Sequence, residues 1–150
     1  MISQTAEYAL RAVAHLCSRP DAAQTTQQIA DATRVPLPYL SKVLQALTRA
    51  GLIRSLRGLH GGFQLLAEPE TLSVYDVIQA VDPLQRILTC PLGLESHGTH
   101  LCPLHRRLDD AFLQVEQAFR ESTIADLLRE PSTSKPLCPF PAELPKNELP

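Results

Sequence analysis

A chain of 150 residues, 44% hydrophobic and formally at net charge −2, is long enough for one buried core with an appended helix. Its N-terminal stretch is interrupted by Glu7, Arg11 and His15, so no apolar run approaches a bilayer-spanning length, and a cytoplasmic protein is expected. The near-neutral total conceals an asymmetry: residues 1–65 carry seven Lys/Arg against three Asp/Glu, whereas residues 66–150 carry seven against thirteen. A basic half on an acidic half suits a nucleic-acid-reading head on a partner-binding body. The four cysteines are expected to be reduced, metal-bound or reactive rather than disulfide-paired.

A first helix is expected over about Ser3–Ser18, with Ala6, Leu10, Val13 and Cys17 as its inner stripe, making Cys17 a small core residue. After a loop over 19–24, Thr25 is a good N-cap and Gln28 completes a capping box. The short helix Thr26–Thr33 then turns Ile29 and Ala30 inward. A tight break at Arg34-Val35-Pro36 follows. Pro38 opens a second helix whose Leu40, Val43, Leu44 and Leu47 recur at the spacing of one buried stripe. Gly51 stands where a helix ends. Leu52-Ile53 and Phe63-Gln64-Leu65 flank a basic, glycine-rich segment, Arg54 to Gly62, which reads as a hairpin. Two helices at a short turn followed by such a hairpin define a winged helix–turn–helix, a mainly α fold with a small β wing.

The outward face of the second of these helices carries Tyr39, Ser41, Lys42, Gln45 and Arg49. Gln reads adenine bidentately, Lys takes guanine or phosphate, and Tyr39 and Ser41 near the helix start suit phosphate contacts. Thr26 joins this set from the preceding helix. Arg54, Arg57 and His60 belong to the wing, where Gly58, Gly61 and Gly62 let the backbone turn and come close to a groove.

Pro69–Leu72 reads as a linker, and Ser73 caps a helix through Val81 with Val77, Ile78 and Val81 on one side. A long irregular loop, Asp82 to Cys102, contains Pro83, Pro91, Gly93 and Gly98; loops of that length are functional or disordered. From Leu104 to Ser122 a helix carries a heptad seam of Leu104, Leu108, Ala111, Val115, Ala118 and Ser122, widened by Phe112 and Phe119. Arg106/Asp110 and Glu116/Arg120 flank it as i, i+4 pairs. So regular a seam favours a two-fold dimer over packing within one domain, and a dimer lets two heads address adjacent major grooves. Thr123-Ile124-Ala125-Asp126 caps a last helical turn. The tail from Pro131 holds six of the thirteen prolines, and Cys138, and is expected to be flexible. The resulting division is a DNA-binding domain over 1–81, a sensor loop over 82–103, a dimerisation helix and terminal helix over 104–130, and a tail over 131–150.

A second constellation is Cys90 with Cys102-Pro103-Leu104-His105. Cys102 falls at a helix start, where the helix dipole favours an anionic sulfur, and His105 lies on the same face. Two thiolates and an imidazole are metal donors by type, and Ser96, His97 and His100 lie between them. The spacing is not that of a zinc finger, and the same residues also read as two unliganded thiols. No Ser-His-Asp arrangement or phosphate loop is present, so no enzyme is expected.

These residues resemble the Rrf family of bacterial winged-helix regulators, which includes the IscR, NsrR, RirA and CymR types. The landmarks are Glu7-Tyr8-Ala9-Leu10-Arg11, Ile29-Ala30, Pro36 with Tyr39-Leu40, Ala50-Gly51-Leu52-Ile53-Arg54-Ser55, Arg57-Gly58 with Gly61-Gly62, Asp76-Val77-Ile78 and Thr123-Ile124-Ala125-Asp126-Leu127. The resemblance covers nearly all of residues 1–128. It implies a homodimer joined by the long helix on a dyad-symmetric operator in double-stranded DNA. For many members it also implies an iron–sulfur cluster in the loop before that helix, held by three cysteines and one further residue, whose loss changes operator binding. Cys90 and Cys102 match the first and third cysteines, His105 matches a histidine ligand of IscR-like members, and Ser96 occupies the middle position. Glu7 resembles a first-helix acidic residue that some members contribute from the partner subunit, and His97 or His100 are further loop donors. Two thiolates with nitrogen or carboxylate ligands suit a two-iron cluster better than a four-iron one. The implied function is a regulator sensing redox state, iron or nitric oxide; the alternative is the same regulator with zinc, a thiol switch or a partner protein instead of a cluster. Arg34 replaces a common glycine and Leu59-His60 alters the wing tip, so operator preference does not carry over.

Overall fold

The structure, a computed structural model, describes residues 2–93 and 100–131. Helix α1 (Gln4–Cys17) is capped by Ser3, whose hydroxyl accepts from the Ala6 amide. Its buried residues are Ala6, Ala9, Ala12, Val13 and Leu16, which corrects the expected stripe: Leu10 and Cys17 are only half-buried. The reason is that α1 is central. It packs against α2 (Thr26–Thr33), α3 (Leu37–Arg49) and α4 (Val74–Val81), so its buried face is wider than one seam, and the alanines let those helices approach.

The expected capping box closes α2: the Thr25 hydroxyl accepts from the Gln28 amide, and the Gln28 side chain accepts from the Thr25 amide. Ile29, Ala30 and Thr33 are buried. Arg34 ends the helix in the left-handed region at φ 56°, the conformation that the common glycine supplies without strain. Helix α3 starts one residue earlier than expected, with Pro36 as N-cap and Pro38 at the second helical position. Its Leu40, Val43, Leu44 and Leu47 are buried as predicted; burial of each such side chain contributes roughly 1.5–3 kcal/mol. Gly51, at φ 73°, reverses the chain into the hairpin.

Strands β1 (Ile53–Leu56) and β2 (Gly62–Leu65) pair antiparallel, with Ile53 opposite Leu65 and Arg54 opposite Gln64. The expected loop over 19–24 adds an isolated antiparallel bridge to this two-stranded sheet. Gln24 and Phe63 exchange backbone hydrogen bonds of 2.9 and 2.8 Å, tying the hairpin to the α1–α2 connection.

Ser73 caps α4 in a capping box with Asp76. The stretch expected to be a linker is also structural: Leu72 is buried, and Ser73 bridges Thr123 beside bonds from Val74 to Ser122 and from Ile124 to Leu72. Helix α5 (Pro103–Glu121) is followed by α6 (Ile124–Arg129), whose Ile124 enters the common core. Asp109 is the one buried residue of α5. Leu104, Leu108 and Val115 of the seam, and Phe112 beside it, are exposed by 64, 44, 44 and 44%, in the order Leu104, Leu108, Val115 and Phe112. Of the expected helical ion pairs, Glu116–Arg120 forms at 2.9 Å. Arg106–Asp110 does not form among the described residues, and Asp110 lies instead in the field of Arg86.

Candidate nucleic-acid interface and thiol–imidazole site

The buried stripe of α3 faces α1, which leaves Lys42, Gln45 and Arg49 exposed along the opposite side. Their polar ends make no hydrogen bond or ion pair among the described residues. Tyr39, 59% exposed, leans on Tyr8 of α1 with ring centroids 6.3 Å apart and planes at 57°. Ser41 is half-buried and donates to the Leu37 carbonyl at 3.0 Å, so its oxygen keeps only acceptor capacity outward. Thr26 is half-buried at the first position of α2.

The wing stands beside α3. A groove of about 390 Å³ between them is lined by Gln45, Thr48, Arg49, Ser55 and Phe63. A second, of about 490 Å³, lies between the wing tip and the α2 start, lined by residues including Thr25, Gln28, Leu59, His60 and Gly61. The tip closes through a bond from the Gly61 amide to the Gly58 carbonyl at 2.9 Å. Gly58 sits at φ 104° with open space where a Cβ would be. A Cβ on Gly61 would stand 2.5 Å from the Leu56 carbonyl oxygen, and one on Gly62 would stand 2.5 Å from that of Gln24. Gly61 and Gly62 are therefore explained by the hairpin's own packing. Arg57, Gly58, Leu59 and His60 remain exposed at the tip.

Cys90, Cys102 and His105 lie later in the chain, around the start of α5. Cys102 is the N-cap of α5, and its Sγ is 3.3 Å from His105 Nδ1, the juxtaposition expected from the i, i+3 spacing. Cys90 is half-buried in a turn closed by the Gly93 amide on its carbonyl at 3.0 Å. Glu7 ion-pairs with Arg11, which also reaches the Thr33 carbonyl. His100 is exposed, and Ser96, His97 and Cys138 lie outside the described residues. Among the described residues of one chain, no group of three or more His, Cys, Asp and Glu side chains comes together. A soft sulfur touching an imidazole fits a mixed-ligand metal centre by donor type, and amounts to half of a four-ligand set.

Sequence reasoning missed what holds this loop. Arg86 grips Asp109 through two parallel bonds, Nε to Oδ1 at 2.6 Å and Nη2 to Oδ2 at 2.5 Å, and the Ile87 amide donates to Asp109 Oδ1 at 2.9 Å. The Arg86 guanidinium holds the Asp109 carboxyl below its ordinary range. This fork fastens the loop segment leading to Cys90 onto the helix that Cys102 caps. The partners are 23 residues apart, so no local periodicity announces them.

A helix–turn–helix with a wing, its outward helix face polar and uncommitted, defines a DNA-binding transcription regulator. A family model described as Rrf2, iron-dependent transcriptional regulator, matches residues 2–130, and the chain belongs to the Rrf2 family. An HTH-type transcriptional regulator of Aquifex aeolicus (strain VF5) is 29% identical over 131 residues, 85% of this chain and 91% of that protein. Among solved structures, CymR of B. subtilis, the global cysteine regulator, is similar at a TM-score of 0.69 and 26% identity, covering 85% of this chain and 95% of that one. IscR of T. potens shares the fold at a TM-score of 0.69 and 24% identity, covering 85% of each chain.

Proposed function

We propose that this regulator acts in the cytoplasm as a homodimer joined along α5, and that each copy reads half of a dyad-symmetric operator. Lys42, Gln45 and Arg49 address the major groove; Thr26, Tyr39 and Ser41 address phosphates. Arg57, Gly58, His60 and Gly61 carry the wing to the backbone beside it. The observation that carries this reading is the uncommitted stripe of α3 standing beside an exposed basic wing tip. The exposed apolar seam of α5 supports the dimer, because burying it needs a second apolar surface.

We further propose that the Cys90/Cys102/His105 end is the sensor. Cys90, Cys102 and His105, with Glu7 of a second copy, would hold a two-iron cluster, which when bound supplies a redox- and iron-sensitive tie between the loop and α5. The sequence favours a second reading at one position, Ser96 in place of a middle cysteine: zinc or a bare thiol switch at the Cys102–His105 contact. Iron, acid-labile sulfide and zinc content of protein purified without oxygen separates them. Near-equal iron and sulfide with visible charge-transfer absorbance supports the cluster, and colourless protein that cannot be reconstituted supports the second reading. In either case Cys90→Ala/Cys102→Ala should leave a folded dimer whose DNA affinity no longer responds to oxidant or iron. A wild-type response in the range of about 5–150-fold is typical of coupled sites. Its survival in the double variant contradicts the sensor assignment.

A further inference from the structure

The wing is built with one of its arginines turned away from the groove it shares with α3. Successive side chains of a strand point to opposite faces. Ser55 and its partner Phe63 line the groove against α3, so Arg54 and its partner Gln64 occupy the other face of the hairpin. There Arg54 donates twice to one oxygen, from Nε at 3.2 Å and Nη2 at 2.8 Å to Gln64 Oε1. Gln64 in turn donates from Nε2 to the Pro20 carbonyl at 2.5 Å. The chain of bonds runs from β1 through β2 to the α1–α2 connection, beside the Gln24–Phe63 backbone bridge that ties the same two segments. A two-stranded hairpin is marginal alone. This one is braced from behind, and the brace engages Arg54, one of the wing's cations.

We propose that Arg54 and Gln64 are positioning residues for DNA binding: they hold the angle of the wing against α3, so that Arg57 and His60 meet the DNA, and Arg54 itself contacts no phosphate. The inference rests on the reading of α3 and the wing as the DNA interface. A chain that meets a phosphate through a cation shows it in the salt dependence of affinity, about 0.9 of logarithmic slope per phosphate neutralised on duplex DNA. A brace does not.

The test uses the full-length protein and a duplex that it selects from a random-sequence pool, with dissociation constants measured across a salt series. Arg54→Lys keeps the charge but loses the two-pronged grip; Gln64→Met keeps length and loses all three bonds. Each is expected to weaken binding roughly fivefold with an unchanged salt slope, while the double variant binds no more weakly than either single one, since both break the same brace. Arg57→Ala, by contrast, is expected to lower the slope by about 0.9. Wild-type affinity in Arg54→Lys, multiplied losses in the double variant, or a slope reduced by about 0.9 in Arg54→Ala would each overturn the proposal. Failure of the wild-type protein to select any duplex would overturn the DNA-interface reading itself, and the brace with it.

Discussion

Gly62 and His15 show how single residues set this molecule's tolerances. Gly62 lies at φ 147° with its missing Cβ pointed 2.5 Å from the Gln24 carbonyl oxygen, whereas Gly58, at φ 104°, faces open space. Gly62→Ala must separate the hairpin from residues 24–25 and is expected to cost about 2–4 kcal/mol; Gly58→Ala carries only backbone strain, about 1 kcal/mol. Urea unfolding of the two variants checks the ordering. His15 is the buried-side imidazole of α1, with Nε2 lacking any partner among the described residues. Burial lowers its pKa below the ordinary 6.5, opposed by the nearby Gln24 side chain and reinforced by the Arg19 charge. The unfolded chain therefore binds the proton more readily. Stability is full above pH 6.5 and falls as pH drops from there through the folded-state value. A His15→Asn variant should lose that part of the acid sensitivity when unfolding is compared at pH 7.5 and below 6; an unchanged profile would contradict the assignment. Neither point is legible in the sequence, because no local pattern shows that Gly62 meets the Gln24 backbone or that His15 is partly buried.

At the scale of elements, what was legible is what is local. Thr25–Gln28, Ser73–Asp76 and Thr123–Asp126 are capping boxes whose two halves are three residues apart, so they can be read directly from the chain. The core stripe of α3 was legible because that helix has one buried side, and that of α1 only in part, at Ala6 and Val13, because α1 is surrounded. The bridge between residues 73 and 123 and the Arg86–Asp109 fork join distant segments and leave no periodic trace. The fork gives an element-level prediction. Asp109→Asn weakens the grip on Arg86, so hydrogen exchange at the Ile87 amide, which now donates to Asp109, should accelerate while the α3 amides stay protected. Equal exchange in variant and wild type would mean the fork does not hold the loop. Acid should act the same way, since the Arg86-stabilised carboxylate keeps the fork above the ordinary carboxyl range and releases it only as pH falls through the lowered value. The seam of α5 supplies another. Leu108→Glu with Phe112→Glu places charges on a face exposed by 44% at both positions, and should convert a dimer to a folded monomer in sedimentation with unchanged helicity. A dimer that survives it would move the interface elsewhere.

The charge asymmetry of the chain separates a basic N-terminal half carrying α3 and the wing from an acidic C-terminal half carrying Cys90, Cys102 and the apolar face of α5. In the proposed function, two such heads read one duplex through α3 and the wing. The most direct measurement is selection from a random-sequence pool by full-length protein, followed by affinity for the enriched duplex at rising salt. The expected result is a dyad-symmetric sequence with half-sites about one helical turn apart, affinity falling steeply with salt, and base preference relaxed at a symmetric pair of positions by Gln45→Ala. An unenriched pool, or an enriched site with no dyad bound by a single copy, would contradict it.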